Sequence, residues 1–154
     1  MNIDGKKFKS MIEGAAKALE ANRDYVDSLN VFPIPDGDTG TNMFFTIVSA
    51  SKEVLKTSDR LSDVATVCAN AALRGAHGNS GVILSQIIKG LSVEFETESL
   101  ITPKIFSKAL LKATEVAYSA TRKPKEGTIL TVIRGMAEAS VSIAKKRGIT
   151  CGEF

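Results

Sequence analysis

The sequence predicts an all-α fold, an up-and-down antiparallel bundle of about six to eight amphipathic helices. Three observations carry this. Apolar residues recur at i, i+3 and i+4 along almost the whole chain. No pair of alternating strands joined by a hairpin turn is visible. Helix start and stop signals sit where the periodic runs begin and end. The 154 residues are enough for one domain with its own core, residues 1–154. Hydrophobic residues make up 44% of the chain, but only 6% are aromatic and none is Trp, so the core must be built from Ala, Val, Ile and Leu.

Taken in order, Phe8, Met11, Ile12, Ala15 and Leu19 mark the first helix. A short helical turn at "RDYVDSL" follows it. Phe44, Phe45, Ile47, Val48 and Leu55 mark a second helix that starts near Thr39. In "DRLSDVATVCANAALRGA" a third helix places Leu61, Val64, Ala65, Cys68 and Ala72 on one face. "SGVILSQIIKGLSVEF" gives a fourth; its length and the polar Ser85–Gln86 pair favour helix over a buried strand. "TPKIFSKALLKATEVAYSA" gives a fifth, with Thr102 as N-cap and Pro103 at the first helical position. "GTILTVIRGMAEASVSIAKKRG" gives a sixth, with Lys145, Lys146 and Arg147 at the negative end of its dipole and Gly148 as C-cap. The final "GITCGEF" reads as the entry to another helix, so the chain is expected to be a fragment truncated at its C-terminus.

Composition excludes several classes. The net charge of +3 is small, and no Lys/Arg run is interleaved with aromatics, which argues against nucleic acid. The N-terminus has no apolar signal core, and no segment reaches about 18 uninterrupted apolar residues, so no membrane span is expected and the chain reads as cytoplasmic. Cys68, on a helix face among small residues, is expected to be a reduced structural thiol.

Three inter-helix loops share one composition. They are "PIPDGDTGTN", "RGAHGNSG" and "RKPKEGT", each rich in Gly and small polar residues and each opening a helix. In an up-and-down bundle the second, fourth and sixth helices start at the same end. Their free N–H groups and dipoles would form an anion-binding rim. Glycines would let phosphate oxygens approach the backbone, and "GNSG" would add the Ser80 hydroxyl.

Asp36 and Asp38 stand one residue apart in the first of these loops. A helix cap explains one carboxylate but not two. A polyphosphate with Mg²⁺ explains both, because Mg²⁺ takes one or two carboxylates together with phosphate oxygens and water. The spacing is not that of an EF-hand, since Thr41 and Ile47 stand where the loop Gly and Glu would be, and no P-loop pattern is present.

"NVFPIPDGDTGTNM", "LRGAHGNSGVILSQ" and "KPKEGTILTV" together resemble the signature of the dihydroxyacetone kinase L-subunit-like (DhaL-like) domain. They are most similar to its version in the ATP-binding subunit of bacterial fatty acid kinase. The resemblance covers nearly the whole chain, to about Lys146. It implies a barrel of antiparallel helices that binds ATP or ADP at one end with two Mg²⁺ ions. It also implies that the acyl chain is held by a separate lipid-binding, DegV-like protein, and that the acyl carboxylate attacks the γ-phosphate. A homodimer of the full-length subunit is compatible with it.

By the same resemblance, Asp36 and Asp38 are the catalytic and metal-binding aspartates. Thr39, Thr41 and Asn42 lie near metal and phosphate; Gly78, Asn79, Ser80 and Gly81 form the phosphate loop; Gly127 and Thr128 belong to the third nucleotide loop. Small-ketone kinases of the family carry a further aspartate upstream. Here Asn30 is the nearest candidate metal ligand, with Asp27 behind it. His77 either touches phosphate or is solvated. Arg74, Arg122, Lys123 and Lys125 are candidates to neutralise phosphate charge. Two other functions remain open: an L-type subunit of dihydroxyacetone kinase, and a nucleotide-sensing helical module without turnover.

Overall fold

The computed structural model describes residues 2–146 and 148–153. Six helices follow one another: α1 Gly5–Ser28, α2 Thr39–Val54, α3 Leu61–Arg74, α4 Gly78–Phe95, α5 Pro103–Ala120 and α6 Ile129–Ile143. No strand forms among the described residues; a single antiparallel bridge joins Ile3 to Ile101. Neighbouring helices in sequence pack on each other, and α4 also touches α2 and α6. No packing between α1 and α6 is found among the described residues, so the wall is open there.

Local chemistry sets most helix ends. Asp4 accepts from the Lys7 N–H at 2.8 Å to cap α1. Thr102 caps α5 by accepting from the Ile105 N–H, with Pro103 at the first helical position as expected. Thr128 caps α6 by accepting from the Leu130 N–H at 3.3 Å.

The core has two parts. The larger joins α1 to α4 around Phe8, Ile47, Val64, Cys68 and Phe95. Phe8 meets Phe95 edge to face with ring centroids 5.4 Å apart, a favoured aromatic geometry. All five expected α3 face residues are buried. The smaller part joins α4, α5 and α6 around Ile87, Leu110, Leu130 and Ile133. Burying each such side chain stabilises by about 1.5–3 kcal/mol. Gly90 lies directly against the Ala113 backbone, where any Cβ would collide, and this lets α4 and α5 approach closely. At the pole opposite the Gly-rich loops, Lys9 Nζ is buried and donates to the Thr57 carbonyl at 2.6 Å and to Asp59 at 2.8 Å. This ties α1 to the α2–α3 link.

Three expectations are corrected. "RDYVDSL" is not a separate turn but the last part of α1, because no Gly or Pro interrupts the run. Met11, Phe45 and Leu55 are exposed at 45%, 42% and 54%; the buried positions beside them are Ile12, Thr46 and Val54. Helix α6 stops at Ile143, where the Lys146 N–H donates to the Ile143 carbonyl in a tightened last turn. Lys145, Lys146 and Gly148 therefore lie past the helix, and Arg147 lies outside the described residues. In "GITCGEF", Cys151–Glu153 form a turn, with the Glu153 carboxylate accepting from the Thr150 N–H at 3.0 Å and hydroxyl at 2.8 Å. That is half of a helix capping box.

Candidate functional site

The three Gly-rich loops meet at one pole. They surround a cavity of about 520 Å³, a volume typical of small-ligand sites. Its walls come from the ends of α1 and α5 and the starts of α2, α4 and α6. This is the geometry that up-and-down alternation predicts.

The α1–α2 loop is shaped by side chains. Asn30 donates to the Ile34 carbonyl at 3.0 Å and accepts from the Asp38 N–H at 3.2 Å. Gly37, at φ +64, occupies a backbone conformation that L-residues rarely adopt. Asp38 stands at the N-cap of α2, yet its carboxylate caps nothing. Asp27, near the end of α1, does that work instead. It accepts from the Thr41 N–H at 3.0 Å and the Thr41 hydroxyl at 2.6 Å. Burial pulls the Asp27 carboxyl up, but the bonds from Thr41 and Gly40 and the nearby Arg23 charge outweigh it, leaving it below the usual carboxylate range.

That arrangement releases Asp36 and Asp38. Both line the cavity, and neither carboxylate has a hydrogen-bond or ion-pair partner among the described residues. The α5–α6 loop lines the same cavity and contributes Arg122, Lys123 and Lys125. These three cations also form no ion pair among the described residues. Arg74 lies elsewhere, beside Ser49 and Glu53.

The three helix starts are not equivalent. Helix α2 is capped by Asp27 and α6 by Thr128, whereas α4 has no side-chain cap. Asn79 and Ser80, in its uncapped first turn, line the cavity. Gly78 and Gly81 turn the other way. Gly78, at φ +56, lies against the Asn42 amide, and Gly81 lies against the Thr46 hydroxyl and the Asn42 carbonyl. These glycines bring α4 onto α2 and thereby aim its N-terminus into the cavity. The floor is apolar, with Val26, Met43, Ile83 and Leu130.

Of the residues singled out in the sequence, Asn30, Asp36, Asp38, Thr39, Asn79, Ser80 and Thr128 line the cavity. Thr41, Asn42, Gly78, Gly81 and Gly127 stand behind them. The Thr41 side chain is taken up by Asp27, and the Gly127 N–H donates to Thr131 Oγ1 at 2.9 Å. His77 is outside the cavity. Its ring packs against Phe45 at a tilt, 5.3 Å between centroids, and Nδ1 lies 2.7 Å from the Gly75 carbonyl.

The donor set suits Mg²⁺ carried by a polyphosphate. Two unpartnered carboxylates supply hard oxygens, and among the described residues no three His, Cys, Asp or Glu side chains form a complete cage. An ion here would draw its remaining ligands from phosphate and water. The phosphates would find three free cations and a bare helix N-terminus across the cavity.

Comparison with known proteins identifies the family. Residues 33–151 match the DAK2 domain model. Uncharacterized proteins of Staphylococcus aureus strains bovine RF122 / ET3-1, USA300 and N315 are each 46% identical over 143 residues, which is 92% of this chain. The chain spans only 26% of the length of those relatives. DAK2 domains are the L-type nucleotide-binding modules of the dihydroxyacetone kinase family, and such domains bind ADP or ATP. With its match reaching from Pro33 through all three cavity loops to Cys151, this chain belongs to the DAK2 domain family.

Proposed function

We propose that this chain is the ATP–Mg²⁺-binding domain of a cytoplasmic kinase that phosphorylates the carboxylate of a fatty acid. The acyl chain is held by a separate lipid-binding protein, as the motif resemblance implies. One observation carries the nucleotide reading: the free carboxylates of Asp36 and Asp38 share a cavity with Arg122, Lys123, Lys125 and the uncapped start of α4.

Each part has a role in phosphoryl transfer, which depends on alignment and charge neutralisation. Asp36 and Asp38 would hold Mg²⁺, two ions by the motif resemblance, with the Asn30 side-chain oxygen as a further candidate ligand. When bound, Mg²⁺ would supply charge neutralisation for the phosphates. The N–H groups of Asn79 and Ser80 and the loop cations take the remaining phosphate charge. The apolar floor accepts the base. The acceptor carboxylate forms a bond to the γ-phosphorus as the bond to the ADP oxygen breaks, giving an acyl phosphate.

A carboxylate acceptor suits the site because it needs no deprotonation. The one His, His77, lies outside the cavity, so a hydroxyl acceptor would find no imidazole base there. Dihydroxyacetone remains the second reading, favoured by the family itself. The whole subunit, which would pair as a homodimer, completes the site.

The test is a thermal melt of this chain with Mg²⁺, with a non-hydrolysable ATP analogue, and with both. Ligand at a hundred times its dissociation constant stabilises by about 2.7 kcal/mol. Both together should raise the midpoint well beyond the sum of the separate shifts. Purely additive shifts would overturn the shared site. Phosphorylation of free fatty acid by this chain alone would overturn the need for a lipid-binding partner.

A further inference from the structure

The three cations that share the cavity with Asp36 and Asp38 sit on a loop held by side chains, and Thr128 Oγ1 donates to its Lys125 carbonyl at 2.7 Å. Residues 122–127 are exposed, and no backbone–backbone hydrogen bond forms within them. Arg122, Lys123 and Lys125 also repel one another. Left to itself, such a segment would spread its charges into solvent.

Glu126 prevents this. Its carboxylate accepts from Tyr118 OH on α5 at 3.0 Å, from Thr131 Oγ1 on α6 at 2.6 Å, and from Arg134 Nη2 on α6 at 2.7 Å. Arg134 Nε also donates to the Tyr118 oxygen at 3.3 Å, which closes a ring of three side chains. Thr131 Oγ1 in turn accepts from the Gly127 N–H at 2.9 Å. A single exposed ion pair would contribute little. Here one carboxylate collects donors from both helices that flank the loop. Glu126 is the only acid between Thr121 and Thr128 and does not line the cavity, whereas the cations around it do.

We propose that Glu126 is a positioning residue. Through Tyr118, Thr131 and Arg134 it clamps the α5–α6 loop so that Arg122, Lys123 and Lys125 present their charges to the phosphates of the bound nucleotide. This rests on the nucleotide reading above. The clamp acts at the phosphate side of the site and leaves Asp36 and Asp38 untouched. Its loss should therefore weaken ligands in proportion to their phosphate count.

The test compares wild type with Glu126→Ala, Tyr118→Phe and Glu138→Ala. Mg²⁺–ADP and AMP binding are measured by calorimetry, and amide hydrogen exchange is followed without ligand. Removing a group that supports a binding residue usually weakens the ligand about tenfold or more. Glu126→Ala should lose about that much for Mg²⁺–ADP and much less for AMP, so that the ADP preference narrows. The Gly127 amide should exchange about tenfold faster. Tyr118→Phe removes one O–H and should show the same pattern more weakly. Glu138→Ala removes the long 3.5 Å ion pair to Arg134 Nη1 but none of the bonds to Glu126, and should bind like wild type.

Wild-type binding of Mg²⁺–ADP with unchanged affinity in Glu126→Ala would overturn the clamp alone. Equal losses for ADP and AMP would do the same, since they would report general destabilisation. A wild-type chain that binds no Mg²⁺–ADP would overturn the proposed function and this inference with it.

Discussion

Thr41 donates twice to Asp27, through its backbone N–H at 3.0 Å and its hydroxyl at 2.6 Å. The end of α1 thus caps the start of α2, and Asp38, at the sequence position of the cap, keeps a free carboxylate. Asp27→Ala should lower stability by about 1–2 kcal/mol, the value of a helix cap. Thr41→Val, which keeps the shape and removes the hydroxyl, should lose about 1 kcal/mol. Urea denaturation of both single variants and the double variant checks this. The double variant should lose less than the sum by at least about 0.5 kcal/mol, because the partners are in contact. Strict additivity would mean that the two residues act independently.

The carboxylates of Asp36 and Asp38 have no partner among the described residues, so removing their charges should leave the fold intact. Asp36→Asn with Asp38→Asn is expected to change stability by no more than about 0.5 kcal/mol, as for other surface positions. Relief of repulsion between the two carboxylates would even favour the variant. Mg²⁺-dependent binding of ADP should nevertheless be lost. A variant that still binds Mg²⁺–ADP with wild-type affinity would remove these residues from the metal site.

Much of this was legible in the sequence. Helical periodicity, Thr102–Pro103 and the six apolar runs fixed the helices. The repeated Gly-rich loops placed the site at one pole. What was hidden depends on contacts between distant residues. No local pattern marks Asp27 as the cap of a helix that starts at Thr39. The glycines of "GNSG" suggested close approach of phosphate, but Gly78 and Gly81 serve close approach of α2, and only Asn79 and Ser80 line the cavity. A glycine shows that something comes near, not what. The Glu126 clamp spans from Tyr118 to Arg134, and its residues look like ordinary helix-surface side chains until α5 and α6 are set side by side.

The acid limb of stability should reflect the depressed carboxyls. Bonds from Thr131, Arg134 and Tyr118 hold Glu126 at about 2, against 4.5 for an ordinary Glu. Hydrogen bonds from Lys9 lower Asp59, and those from Arg60 and Ser58 lower Asp63. Each binds its proton more tightly in the unfolded chain than in the fold. The stabilisation is therefore complete above the unfolded values of 4.5 for Glu and 3.8 for Asp, and is lost as pH falls through the folded ones. Thermal melts should be level from about pH 7 to pH 5 and decline below that. Glu126→Gln should flatten the part of the decline between 4.5 and about 2. An unchanged slope would show that its three donors do not persist in solution.

Two glycines should respond to alanine in opposite directions. At Gly81 a Cβ would strike the Thr46 hydroxyl and the Asn42 carbonyl. That hydroxyl donates to the Asn42 carbonyl at 2.8 Å and accepts from the His77 N–H at 3.2 Å, so displacing it loosens the link between α2 and the start of α4. Gly81→Ala should lose about 1–3 kcal/mol, the cost of overpacking a tight contact. At Gly14, exposed within α1, nothing lies within 4 Å of the added atom. Gly14→Ala should gain about 0.5–1 kcal/mol from the reduced freedom of the unfolded chain and the better helix propensity. Urea denaturation of the two variants separates these outcomes. Because Gly81 holds α4 against α2, Gly81→Ala should also weaken Mg²⁺–ADP binding, whereas Gly14→Ala should not. Equal stability and equal binding in both variants would show that α4 is not pinned to α2 through this glycine, and the aim of its N-terminus into the cavity would need another cause.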